Sequence, residues 1–89
     1  QKLFLLGAAH IHEDPKAKEG YLYVYLGYLK RGNLPACFAI LREAEKKVTL
    51  RSGLYFAVAQ MVLKQGYPDL AILYLKNAED TWEAEHGKV

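Results

Sequence analysis

The stretch YLYVYLGYL, Tyr21 to Leu29, decides the fold. Only Gly27 in it is not apolar, and its tyrosines alternate with leucine and valine as they would in a β-strand. A strand would set Tyr21, Tyr23 and Tyr25 on one face, whereas a helix would gather Tyr21, Val24, Tyr25 and Tyr28. Both faces are apolar, so the stretch by itself leaves the choice open and the rest of the chain has to make it.

Sliding the chain against itself by 34 residues lays YLYVYLGYLKRGNLPACFAILREAE on YFAVAQMVLKQGYPDLAILYLKNAE without a gap. Tyr21 meets Tyr55, Val24 meets Val58, Leu29-Lys30 meet Leu63-Lys64, Gly32 meets Gly66, Leu41 meets Leu75, and Ala44-Glu45 meet Ala78-Glu79. In the second copy Ala57, Ala59, Gln60, Met61 and Leu63 suit a helix, and Gln60 breaks any two-residue alternation. Tyr21 to Leu29 is therefore expected to be helical too. Each copy predicts a first helix, a glycine at its end (Gly32, Gly66), and a second helix with a proline in its opening turn (Pro35, Pro68), where a missing N–H costs nothing.

A 34-residue helix-turn-helix period resembles the tetratricopeptide repeat. With Gly32 and Gly66 on that motif's turn glycine, Tyr21 and Tyr55 fall on its aromatic site, Tyr28 and Val62 on its later large site, Cys37 and Ala71 on the small site of the second helix, Leu41 and Leu75 on the large one, and Ala44 and Ala78 on the closing alanine. The motif's small residue in the first helix is Ala59 in one copy but Tyr25 in the other, which predicts looser pairing of the two helices there. Asp14-Pro15 stands where the motif often carries an inter-repeat Asp-Pro, with Asp14 able to cap a helix that Pro15 opens. The resemblance covers residues 18 to 83. It implies an all-α chain of antiparallel helical hairpins in a short right-handed solenoid, a single domain over 1–89 made of a partial unit at 1–15, a first unit at 18–49 and a second at 52–83. Five helices are expected, at about 1–12, 15–31, 34–47, 50–65 and 68–85.

At 89 residues there is room for one small domain with a small core and marginal stability. The composition, 52% hydrophobic and 25% charged, is that of a globular chain rather than a disordered one. The 12 basic and 10 acidic side chains give a net charge of +2. The basic residues are dispersed rather than gathered in a stripe with aromatics, which argues against nucleic acid as a partner. Cys37 has no second cysteine to pair with and stands between Ala36 and Phe38, as a packed thiol in a reducing compartment would. No apolar run approaches the roughly 18 residues of a membrane span, and QKLFLLGAAHIHED turns polar too soon for a signal peptide. A soluble, cytoplasmic protein is expected.

If Tyr21, Val24, Tyr25 and Tyr28 pack on the second helix of their hairpin, Leu22, Leu26 and Leu29 form another apolar stripe at i, i+4, i+7. The resemblance places the equivalent positions of the second copy, Phe56, Gln60 and Leu63, followed by Lys64, along the groove where such repeats hold ligands. The stripe either packs on a neighbouring first helix or on residues 1 to 12, or it lines an apolar groove. The groove is preferred, because a short array has few neighbours with which to cover helices that are apolar on two sides. Repeats that clamp the acidic C-terminus of heat-shock chaperones use Lys, Arg and Asn at these sites. Leu22, Leu26 and Phe56 here suit an amphipathic helix instead.

His10 and His12 would point about 200° apart on a helix, with no further ligand nearby, so no metal is expected. No phosphate loop, acid–base carboxylate pair or nucleophile setting is visible, so neither an enzyme nor a cofactor is expected. Met61 is expected to be packing filler. Trp82, on the polar segment EDTWEAEHGK, either caps the array or offers an anchor to a partner.

A chain of few, incomplete repeat units is similar to the small bacterial chaperones of type III secretion that hold the needle subunit in the cytosol together with a second small helical co-chaperone. Leu5 to Asp14, LLGAAHIHED, is similar to a Leu-Gly…His-x-His-Glu stretch near the start of some of them. This resemblance spans about ten residues beyond the generic repeat. It implies a hetero-oligomer in which the apolar face of an exported subunit is covered before export. The alternative is a scaffold fragment of a larger protein-interaction chain, in which Leu22 and Leu26 pack against further repeats.

Overall fold

A computed structural model describes residues 2–87, and among them the chain is all-helical, with no strand. Its five helices are α1 (Lys2–Glu13), α2 (Glu19–Lys30), α3 (Leu34–Lys47), α4 (Arg51–Lys64) and α5 (Pro68–His86). Tyr21 to Leu29 lies inside α2. The chain divides into two compact units, one running to Thr49 and the other starting at Leu50, which is the boundary between the two sequence copies.

The two hairpins are jointed alike. Gly32 and Gly66 both take left-handed backbone, with φ of 72° and 90°, a region in which a Cβ is strained and glycine is not. In the first joint the amide of Gly32 donates to Leu29 O at 3.0 Å and that of Asn33 to Tyr28 O at 3.0 Å. In the second, Gly66 donates to Leu63 O at 3.1 Å and Tyr67 to Val62 O at 2.9 Å. These bonds satisfy carbonyls that the helix ends would otherwise leave open. The helices that follow start differently. Asn33 Oδ1 accepts from the Ala36 amide at 3.3 Å ahead of α3, while α5 opens on Pro68 with no side-chain cap.

The start of α2 departs from the sequence expectation. Pro15 does not open it, and Asp14 does not cap it. The Asp14 amide instead extends the end of α1 by donating to His10 O at 2.8 Å, and the Ala17 amide closes a turn on Asp14 O at 3.2 Å. The first helical residue of α2 is Glu19, preceded by Lys18 without a side-chain cap. Residues 14–18 are spent on a reversal that brings α1 back along α2, and the Tyr21 hydroxyl ties that reversal by donating to Pro15 O at 3.3 Å. The reason for the tight return is the α1–α2 contact itself. A Cβ on Gly20 would stand 2.8 Å from the Ile11 amide nitrogen and 2.9 Å from Gly7 O, and one on Gly7 would run into Val24 Cγ2. Backbone meets backbone there. Further along, Phe4 packs on Tyr28 with ring centroids 4.7 Å apart, and the Arg31 guanidinium lies 5.1 Å from the Phe4 ring centre.

Within the first unit the buried side chains are Tyr21, Tyr25 and Leu29 on α2, Cys37, Leu41 and Ala44 on α3, and Val48 just after it. Tyr25, standing where the second copy has Ala59, is fully packed rather than expelled, and Cys37 Sγ sits 3.6 Å from its carbonyl oxygen. The α2–α3 pairing is nevertheless less extensive than that of α4 with α5. The second pair also has more helix to bring together, α5 having 19 residues against the 14 of α3. In the second unit Leu54, Tyr55, Val58, Ala59 and Val62 of α4 and Ala71, Tyr74 and Ala78 of α5 are buried. The far ends of that hairpin are tied by Glu85, whose carboxylate accepts from the Ser52 hydroxyl at 2.6 Å and from the Ser52 amide at 3.2 Å. A residue of α5 thus supplies the N-terminal cap that α4 lacks in its own sequence.

Candidate partner-binding surface

α4 is apolar on two sides, because Leu54, Val58 and Val62 are needed inside while Phe56 and Leu63 fall on the outer face at i and i+7. Phe56 is 51% exposed and Leu63 56% exposed, with Gln60 and Lys64 exposed on the same side. Gln60, Leu63 and Lys64, together with Ala57 and Met61, line a depression of about 470 Å³. The four expected positions on α4 therefore share one open face. It has an apolar floor and a cation at its C-terminal end.

The corresponding stripe on α2 is different. Leu22 and Leu26 are half-buried. Leu29 is 2% exposed and belongs to the core, so it lines no surface and the expectation for it is corrected. Its repeat counterpart Leu63 occupies the same place in the period with the opposite exposure, because burial depends on which neighbours each helix has. α1 meets α2 at Gly20, Val24, Gly27 and Tyr28, and His10 reaches Tyr23; Val24 and Tyr28 had been expected on the face toward the second helix of the hairpin, and the two glycines are what let α1 approach on their side.

A second open region was missed in the sequence. Phe56 of α4 and Leu75, Ala78, Glu79 and Trp82 of α5 line a depression of about 450 Å³. Leu75, which falls on the large site of the repeat's second helix, is 42% exposed, and Trp82 is 49% exposed. Trp82 is braced by its own helix turn. The His86 ring stacks on it with centroids 4.4 Å apart, and His86 Nδ1 lies 3.0 Å from Trp82 O. The spacing of Leu75, Glu79 and Trp82 at i, i+4 and i+7 was the available signal for a shared face.

Cys37 is fully buried, and burial pushes its thiol up to about 11, so it stays protonated at neutral pH. Burial, and next the nearby Glu43 carboxylate, raise the Tyr21 phenol. The Ser52 hydroxyl and amide hold the Glu85 carboxyl below the ordinary glutamate value, and a backbone hydrogen bond does the same for Glu19 at the start of α2, helped by Lys18. Among the described residues no three potential ligands gather to hold a metal ion, and His10 instead tilts against Tyr23 at 5.2 Å between ring centroids. No helix among them is long and apolar enough to cross a membrane.

The arrangement defines a class, two compact helical units that expose apolar helix faces. The chain matches no known protein family, no curated protein and no solved structure.

Proposed function

We propose that this protein is a tetratricopeptide-type adaptor or chaperone that holds an amphipathic helix of a partner protein in the cytosol. The right-handed stacking of its hairpins into a short solenoid is part of the proposal. The observation that carries it is the outer face of α4, where Phe56 and Leu63 stand more than half exposed beside Gln60 and Lys64 while the remaining large apolar side chains of that helix are covered or half-covered. Apolar side chains at i and i+7 on an open helix face suit a partner helix with anchors every three to four residues. Leu22 and Leu26 occupy the equivalent positions of α2 and contribute their exposed parts. An exported subunit that polymerises through an apolar helix face, such as a type III secretion needle subunit, is the kind of partner that the sequence resemblance favours.

The test is affinity capture of the tagged protein from its host, with identification of proteins recovered in stoichiometric amount. A small helical secreted protein that is lost from the Phe56→Asp, Leu63→Asp and Leu22→Asp variants supports the proposal. Undiminished recovery with all three variants defeats it. The half-burial of Leu22 and Leu26 favours a second reading, in which this surface packs against further repeats of a larger scaffold. In that case capture returns a longer chain containing this sequence.

A further inference from the structure

The 34-residue repeat lets each surface position of the second unit be compared with its counterpart in the first. On α3 and just beyond it, Leu41, Ala44 and Val48 are 7%, 0% and 8% exposed. Their counterparts on α5, Leu75, Ala78 and Trp82, are 42%, 9% and 49% exposed. Leu22 is half-buried, whereas its counterpart Phe56 is 51% exposed. Glu45 is half-buried and engaged with a partner, while its counterpart Glu79 is exposed and carries no ion pair among the described residues. Counterpart positions of the two hairpins thus differ in exposure, most of all Leu41 against Leu75 and Val48 against Trp82. The open positions are those that line the 450 Å³ depression between α4 and α5.

We infer that this depression docks one further amphipathic helix, brought by a partner protein, which sets apolar side chains on Phe56, Leu75 and Trp82 and a lysine or arginine against Glu79. A trough between two antiparallel helices with apolar walls accepts the ridge of a third helix. The charge of the occupant follows from Glu79. It is the only ionisable side chain among the described residues lining the depression, and it lies between Leu75 and Trp82 on α5. A wholly apolar occupant would desolvate that carboxylate without a partner, which is costly, whereas a cation one turn from the apolar anchors pairs with it. Around it on α5 stand exposed Asp80 and Glu83 and, one turn before, exposed Lys76, so the carboxylate of Glu79 rather than a broad field selects the charge of the occupant. An acidic helix is repelled at the same place. Gln60, Leu63 and Lys64 take no part, so this face is separate from most of the surface proposed above and shares only Phe56 with it.

Trp82 is the sole tryptophan of the chain and lies in the depression, so its emission reports occupancy directly. The experiment titrates the full chain with two synthetic helical peptides of identical apolar content, one carrying lysine and the other glutamate one turn from its leucine and phenylalanine anchors. The basic peptide is expected to give a saturable blue shift with an affinity roughly tenfold or more above that of the acidic one. Glu79→Lys should reverse the order, Leu75→Asp should abolish the shift with the far-ultraviolet circular dichroism unchanged, and Leu63→Asp should leave it intact even where it destroys capture of the partner. Equal affinities for the two peptides, or no shift with either, overturn the inference. So does a blue shift that grows with protein concentration alone and accompanies a dimer in sedimentation, since the occupant is then a second copy of the chain.

Discussion

Leu29 and Leu63 are the same residue at the same place in the repeat, yet one is 2% and the other 56% exposed, which makes them a matched pair for measuring what burial contributes. Leu29→Ala deletes a fully packed side chain and leaves a cavity in the first unit, a change that costs about 2–5 kcal/mol. Leu63→Ala removes a side chain that is less than half covered. With about 1.5–3 kcal/mol for complete burial of a leucine, the loss is about 1 kcal/mol or less, and the better helix propensity of alanine offsets part of it. A small domain has only about 5–15 kcal/mol in all, and each kcal/mol lowers its melting temperature by about 4–8 °C. Leu29→Ala should therefore lower the midpoint by about 10 °C or more, and Leu63→Ala by no more than a few degrees. Thermal unfolding followed at 222 nm decides between them. Equal midpoints for the two variants would refute the assignment of Leu29 to the core and of Leu63 to the surface.

Gly20→Ala should destabilise despite the higher helix propensity of alanine, by about 1–3 kcal/mol, because the new methyl meets the backbone of α1 at Ile11 and Gly7; a raised urea midpoint would contradict the α1–α2 packing. The Glu85 carboxyl is held below its ordinary value in the fold, so its bond to Ser52 stabilises above the unfolded-state value and is lost as pH falls through the lower folded one. Melting temperatures measured from neutral to acid pH should fall less steeply for Glu85→Gln, and superimposable curves would count against the cap. Cys37, raised to about 11 by burial, should react with a thiol reagent only at the rate at which the protein opens, whereas rapid stoichiometric labelling of the native chain would show an accessible thiol.

The helical nature of Tyr21 to Leu29 was legible only through its second copy, since nine residues apolar on every side satisfy both periods. The joints were legible as well, because glycine followed by a proline within the next few residues has few conformational uses. Exposure was not. Leu29 was assigned by helical spacing and Leu75 by repeat position, and each fixes which way a side chain points but not what stands opposite. The late start of α2 was hidden because Asp14-Pro15 suits a tight reversal as well as a helix start, and what selects the reversal is the glycine contact with α1, which has no hydropathy signature. Glu85 gave no signal at all, since a cap delivered from 33 residues away lies outside any local motif.

Because both joints close through the same two amide-to-carbonyl bonds around a left-handed glycine, the hinge between paired helices is a cassette whose geometry is set by a few backbone positions. Residues 28–33 and 62–67 should be exchangeable between hairpins with little disturbance to either. A gene encoding this chain could thus lengthen by copying whole 34-residue blocks, each bringing its own working corner, without having to reinvent the bend.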